Sequence, residues 1–180
     1  MILYLVRHGR SEYNTMKRYT GSTDACLSAE GVEQAHRTAY MLKDVGFDTI
    51  VSSPLIRARK TAEIIAEYHP GIPMIFMDEF RERSFGDWEG REYYDRSYID
   101  FICLPENIGT APDNGEPIID FDRRVGKGLE ILSERYSDKT VLLVAHGMVS
   151  RMINRRICGL DFGEANSFLL PNCGFIKYEI

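Results

Sequence analysis

The chain has 180 residues, with 22 basic against 27 acidic side chains and a net charge of −5. At roughly 100–200 residues per domain this is one folding unit, large enough to bury about 70% of its unfolded surface. The hydrophobic share of 44% and the charged share of 27% exclude a disordered chain, and the acidic balance excludes a general nucleic-acid or anionic-membrane binder. Within that acidic total arginine outnumbers lysine 16 to 6. Such a ratio suits phosphate or carboxylate recognition by the guanidinium fork, and equally follows from compositional drift.

Met1–Val6 is an apolar run closed by Arg7-His8-Gly9, which predicts a buried strand feeding a loop. It is too short for a signal-peptide core, and no stretch approaches the ~20 apolar residues of a membrane span. A cytoplasmic protein is the expectation. After a turn-rich loop at Gly21-Ser22-Thr23-Asp24, Ser28 is placed to cap a helix whose Val32, Ala35, Ala39 and Leu42 recur at helical spacing, with Gly46 as its left-handed end. Asp48–Ser52 predicts a second strand, and Ser53-Pro54 a capping hydroxyl with proline opening a helix that runs to about His69.

Pro73–Met77 predicts a third strand, Pro117–Tyr136 a helix, Thr140–Ala145 a fourth strand, Met148–Cys158 a helix stopped by Gly159, and Phe175–Ile180 a last strand. Strands alternating with helices predict an α/β three-layer sandwich: a mostly parallel central sheet with helices on both faces. One domain over 1–180 is expected. Glu79–Gly115 breaks the alternation with Phe85, Trp88, Tyr93, Tyr94, Tyr98 and Phe101 among charges, which predicts a cap insertion with one helix near Glu92–Leu104. Its aromatics suit either stacking on a leaving group or ordinary packing. Cys26, Cys103, Cys158 and Cys173 have no metal-ligand spacing and read as free thiols.

Several chemistries are excluded by missing motifs. There is no Gly-x-Gly-x-x-Gly, and Gly126-Lys127-Gly128 lacks the rest of a nucleotide-binding loop. No Gly-x-Ser-x-Gly elbow occurs, and no cysteine has an arginine six positions on. Asp120-Phe121-Asp122 reads as a solvated helix face, and His36 and His69 as structural or solvated. The informative feature is an echo: Leu5-Val6-Arg7-His8-Gly9 and Val144-Ala145-His146-Gly147 both end an apolar strand in His-Gly. In a parallel sheet both histidines emerge on one edge, where α/β proteins build sites, and each glycine lets a ligand approach the backbone. Metal ligation is the rival reading, but no His-x-His or His-Glu-x-x-His string supplies it. Arg7, and Arg57 in the first turn after the second strand, would make an anion pocket with a helix N-terminus. Glu82, between Arg81 and Arg83, is a candidate only by its relation to that site.

Five strings in order, Leu5-Val6-Arg7-His8-Gly9-x-Ser11-x-x-Asn14, Gly21-x-x-Asp24 with Leu27-Ser28-x-x-Gly31-x-x-Gln34-Ala35, Ser52-Ser53-Pro54-x-x-Arg57-Ala58-x-x-Thr61-Ala62, Glu82-x-x-x-Gly86-x-Trp88-Glu89-Gly90 and Val144-x-His146-Gly147, resemble the histidine phosphatase superfamily, the phosphoglycerate-mutase-like enzymes. The resemblance spans nearly the whole chain. It implies His8 as the nucleophile, Arg7, Arg57 and His146 as holders of the phosphoryl oxygens, Glu82 as proton donor and acceptor, and Ser11, Asn14, Gly21, Ser22 and Gly147 as substrate-binding positions. A metal-independent phosphomonoesterase of the histidine acid phosphatase type is implied, without cofactor, acting on a small phosphate ester as monomer or homodimer. α-Ribazole phosphatase and phosphoglycerate mutase are the alternatives within the resemblance, and a non-catalytic phospholigand binder lies outside it. Ser11 stands where threonine is more usual, and Arg10 where Glu or Gln is frequent; Arg10 either favours a more anionic substrate or points to solvent.

Overall fold

The computed structural model describes residues 1–92 and 109–180. The expected helix near Glu92–Leu104, with Tyr93, Tyr94 and Tyr98, falls outside them. Five strands form one sheet: β1 (Ile2–Arg7), β2 (Thr49–Ser52), β3 (Met74–Phe76), β4 (Thr140–Ala145) and β5 (Phe175–Glu179), in the spatial order β3-β2-β4-β1-β5. All neighbours are parallel except β1 and β5. The helices are α1 (Glu12–Thr15), α2 (Ala29–Leu42), α3 (Ile56–Ala66), α4 (Ile118–Arg135), α5 (Gly147–Cys158) and α6 (Phe162–Ser167), with short 3-10 turns at Asp78–Phe80 and Gly86–Trp88.

Strand residues alternate between two cores. Leu3, Leu5, Val141 and Leu143 pack with α4 and α5 through Val125, Leu129, Val149 and Met152. Val6, Leu142 and Val144 pack with α2 and α3 through Ala35, Ala39, Ala58 and Ile65. Both faces of β1 and β4 are therefore dry, which is why they read as continuous apolar runs. No described helix is long and apolar enough to cross a membrane.

The α/β reading stands, and several details change. Ser28 caps α2 by accepting the Gly31 N–H at 3.1 Å, but the helix ends at Lys43 in right-handed conformation and the left-handed turn expected at Gly46 is not used. Successive turn hydrogen bonds from Val45 to Leu42 and from Phe47 to Val45 instead drop Phe47 into the core. Helix α3 begins two residues after Pro54, with Leu55 at the cap; Ser53 turns its hydroxyl to His146 at 2.7 Å. Gly159 does close α5 with φ 68°.

Two helices were not foreseen, α1 and α6. Each is too short for an apolar period, though both carry a reciprocal cap, Ser11 with Asn14 and Asp161 with Glu164. Gly126 and Gly128 lie inside α4, where a Cβ would strike the Arg156 guanidinium at 2.2 Å and Phe80 at 2.8 Å. These glycines serve close packing. Cys26 and Cys158 are exposed free thiols and Cys173 is a buried one. His36 is exposed, while buried His69 packs its ring edge-on against Phe47.

Asp122 corrects the solvated-face reading. It is 5% exposed and joins α4 to α5, accepting from Arg156 Nε and NH2 at 3.1 and 2.8 Å and from Arg155 NH1 at 3.3 Å. Asp120 remains at the surface with Arg123. We expect Asp122→Ala to leave two guanidinium groups half-buried without their carboxylate and to cost about 1–3 kcal/mol, since both arginines keep partial access to water. A thermal melt should fall by roughly 3–10 °C; an unchanged Tm would mean that the two arginines find new partners at no cost.

Candidate active site

The first and fourth strands pair in parallel with Arg7 opposite Ala145, so the next residue of each, His8 and His146, leaves the sheet at the same level. The His8 N–H donates to the Ala145 carbonyl at 2.9 Å. The two rings lie 5.1 Å apart at 61°, both buried. The sequence echo is thus one physical site, built by a parallel ladder.

The tautomer of His8 follows from its partners. Its Nδ1 lies 2.7 Å from the Gly9 carbonyl, which only accepts, so Nδ1 carries the proton. Its Nε2 lies 3.3 Å from Arg57 Nε–H, which only donates, so Nε2 presents a lone pair. Burial, then Arg57, then Arg7 hold the imidazole well below its usual titration range, against the Gly9 hydrogen bond. His146 is held neutral in the same way, by burial first and by Arg57, His8 and Arg7 after it. Its Nε2 meets the Ser53 hydroxyl at 2.7 Å, and its buried Nδ1 has no partner among the described residues. The Ser53 oxygen also accepts the Leu55 N–H at 3.3 Å.

Arg57 is 1% exposed, yet every donor nitrogen is used. NH1 donates to the Thr23 carbonyl at 2.7 Å, NH2 to the Gly21 carbonyl at 2.8 Å, and Nε to His8. Burial lowers its pKa to about 10, opposed by Glu82, Asp24 and Glu89, so the group stays charged. Arg7 reaches the Leu170 carbonyl at 2.7 Å. Glu82 is placed by the turn at Asp78–Phe80, whose carbonyls, with that of Arg81, are gathered by Arg124 of α4 at 3.0–3.1 Å. The carboxylate accepts the Met148 N–H at the start of α5 and the Arg83 N–H, each at 3.1 Å. Burial raises its pKa, against these two N–H groups, Arg57 and Arg7.

Arg7, His8, Asn14, Gly21, Arg57, Glu82 and Gly147 line one cavity of about 150 Å³, large enough for a phosphoryl group and part of its ester. Of the remaining expected residues, His146, whose ring packs edge-on against that of His8, Ser11 and Ser22 do not line the cavity. Ser11 gives its oxygen to the Asn14 N–H at 3.2 Å, and Ser22 gives both its donors to Glu89. Arg10 also stands outside, paired with Glu30 at 3.0 Å. Additional lining comes from Tyr19, Thr20, Phe85, Met148, Arg151 and Leu169. Thr20 is buried with a hydroxyl that has no partner among the described residues, and its place beside the expected Gly21-Ser22 was the available signal. Asn172, which was not anticipated, donates to the His8 carbonyl at 3.0 Å. A wider depression of about 700 Å³ between Thr38–Met41 and Pro171–Gly174 holds none of the paired histidines, arginines or Glu82. Among the described residues no three His, Cys, Asp or Glu side chains are grouped to hold a metal ion.

The model of the histidine phosphatase superfamily, branch 1, matches residues 3–180. The chain belongs to this superfamily. A Bacillus subtilis relative named "Uncharacterized phosphatase PhoE" is 40% identical over 169 residues, 94% of this chain and 83% of that protein. An Escherichia coli relative named "Probable phosphoglycerate mutase GpmB" is 32% identical over 188 residues, covering 98% of this chain and 84% of the relative. The crystal structure of an α-ribazole phosphatase from Shigella flexneri superposes with a TM-score of 0.86 at 30% identity, over 98% of this chain and 89% of that one.

In this member of the histidine phosphatase superfamily the neutral state of His8 is open to direct measurement. We expect its ring ¹⁵N resonances to report neutral imidazole at about pH 6.5, where a free histidine is half protonated. Arg57→Gln should move the titration upward, because the second largest cause of the depression is removed. A His8 that titrates like a free imidazole in the unaltered protein would contradict the burial and charge arrangement described above.

Proposed function

We propose that this chain is a phosphomonoesterase that hydrolyses small phosphorylated metabolites through a phosphohistidine on His8, without a metal ion. The observation that carries this reading is the bare Nε2 of a neutral His8 directed at the Arg57 guanidinium. A transferring phosphoryl group spreads charge over three equatorial oxygens, and fixed donors in a dry cavity meet that need. Arg7 and Arg57 supply guanidinium charge that does not titrate near neutrality, and the Thr20 hydroxyl in the cavity wall has no partner among the described residues. When a phosphoryl oxygen takes the Arg57 Nε–H, the Nε2 lone pair is released for attack.

In the first half-reaction the Nε2–P bond forms as the ester P–O bond breaks, and protonated Glu82 gives its proton to the departing alkoxide. In the second, Glu82 takes a proton from water, the water oxygen bonds to phosphorus, and the P–N electron pair returns to Nε2. Glu82 ends protonated and His8 neutral, as both began. The depressed His8 and the raised Glu82 share their largest cause, burial, and it favours both forms the first step needs.

Phosphatase and α-ribazole phosphatase among the names of similar proteins support hydrolysis, and the short insertion between β3 and α4 favours a hydrolase over a mutase. The relative named as a phosphoglycerate mutase supports transfer between phosphoglycerate isomers as the second reading. Hydrolysis and transfer are separated by following free phosphate against isomer interconversion.

We expect turnover of p-nitrophenyl phosphate that survives chelation and is lost in His8→Ala. kcat/KM should form a bell, with its acid limb below the ordinary histidine range and its alkaline limb above the ordinary carboxylate range. As pH falls through the lowered His8 pKa the nucleophile is protonated, and as pH rises through the elevated Glu82 pKa the proton donor is lost. Glu82→Gln should remove the alkaline limb and slow alkyl esters by about 10²–10⁴-fold, with a smaller effect on the aryl ester, whose phenolate leaves without protonation. Full activity of His8→Ala, or activity abolished by chelation and restored by metal, would exclude this chemistry.

A further inference from the structure

The Trp88-Glu89-Gly90 string takes no part in the reaction just described, yet Glu89 is among the most heavily hydrogen-bonded carboxylates of the described residues. Its Oε1 accepts the Ser22 N–H at 2.8 Å, the Ser22 hydroxyl at 2.9 Å and the Phe85 N–H at 3.0 Å, and its Oε2 accepts the Thr23 hydroxyl. The loop held in this way is the loop whose Gly21 and Thr23 carbonyls receive the Arg57 guanidinium. Its far end is tied as well, since Asp24 Oδ1 accepts the Ile56 N–H at 2.6 Å, one residue before Arg57. Gly21 has φ 52°, and a Cβ there would lie 2.2 Å from Glu89 Oε1. The carboxylate is thus seated directly against the loop backbone.

We propose that Glu89 is a positioning residue for phosphoryl transfer, holding the Gly21 and Thr23 carbonyls where they aim the Arg57 guanidinium at His8 Nε2. The inference rests on the reading of Arg57 as a phosphoryl-binding group. Backbone carbonyls orient a guanidinium only if they are themselves fixed; this short loop lies outside every helix and strand, its own turn bonds run from Thr23 to Thr20 and from Ala25 to Thr23, and Tyr19 ties its start to Gly90 and Arg91, so Glu89 is what anchors the Ser22-Thr23 stretch to the rest of the fold. Gln at this position keeps the size but replaces one acceptor oxygen with a donor, so the Thr23 and Ser22 contacts cannot all survive. Ala removes them together. The Glu89 charge also helps keep the buried Arg57 protonated.

The test is a double-mutant cycle on p-nitrophenyl phosphate hydrolysis by the full chain, with Glu89→Gln and Glu89→Ala alone and in an Arg57→Ala background. Glu89→Ala should lower kcat/KM by roughly 10–100-fold, the scale of an ångström-level misplacement, and Glu89→Gln by less. Both effects should shrink to within about twofold once Arg57 is absent. Equal losses in the two backgrounds, or undiminished activity of Glu89→Ala, overturn the proposal. If Glu89→Ala does not fold, the isosteric Gln variant carries the cycle, with its Tm measured beside the unaltered protein.

A second readout needs no turnover. The Arg57 Nε–H resonance, assigned by its loss in Arg57→Lys, should be protected from exchange in the unaltered protein and exchange-broadened in Glu89→Gln. An unmoved resonance overturns the positioning role. A chain that hydrolyses nothing but shows the expected resonance change overturns the phosphatase reading and leaves the Glu89 role standing.

Discussion

Burying a guanidinium is the constraint on which the rest of this site depends. Arg57 is removed from water in an apolar α/β interior, and such a charge is tolerated only when its donors are satisfied and its field is opposed. Three consequences follow. The loop after α1 must present two carbonyls, His8 must adopt the tautomer that offers Nε2, and carboxylates must stand near enough to offset the charge. Glu82, Asp24 and Glu89 do so without any of them closing an ion pair on Arg57. A tight ion pair would have spent the charge on the protein itself. Carbonyl acceptors leave it available to an incoming anion.

The same burial acts on the two histidines and on Glu82, with a sign set by the group. Desolvation disfavours charge, so it lowers His8 and His146 and raises Glu82. The arginines add to the effect on the histidines and oppose it on the carboxyl. A neutral imidazole and a protonated carboxyl are thereby favoured together in the wall of one cavity. The backbone supplies the rest of the arrangement: the parallel register of β1 and β4 sets the distance between the histidines, and the N-terminus of α5 donates to Glu82. These are features of rigid elements, so the site is held in shape before a ligand arrives.

Much of this was legible in the chain because its signals are local. The apolar runs, Gly159 and the Ser28 cap each act within a few residues, and the repeated His-Gly after β1 and β4 states a strand-end position twice. The failures also have local causes. Gly46 and Ser53-Pro54 carry the chemistry of helix ends, but tertiary demands took precedence: Phe47 is drawn into the core, and Ser53 is engaged by His146. Asp122 looked like one of many charges on a helix. Only the approach of α5, bringing Arg155 and Arg156, makes it buried. Arg10 was open to two readings, and Glu30 on α2 holds it.

The chain by itself determined the α/β class, the strand ends that carry the two histidines, and the residue types able to bind and transfer a phosphoryl group, because each depends on periodicity, capping and side-chain chemistry. Tertiary structure decided which of those residues meet. It put Thr20 rather than Ser22 in the cavity wall, kept Ser11 as a cap, and turned Glu89 from one acidic residue in a mixed loop into the anchor of the loop that holds Arg57. The contacts that join this loop to Glu89 and Arg57 span sequence separations of 34 to 67 residues. No local pattern encodes them, because the partners of a hydrogen bond are chosen by the packing of elements that the chain brings together only when it folds.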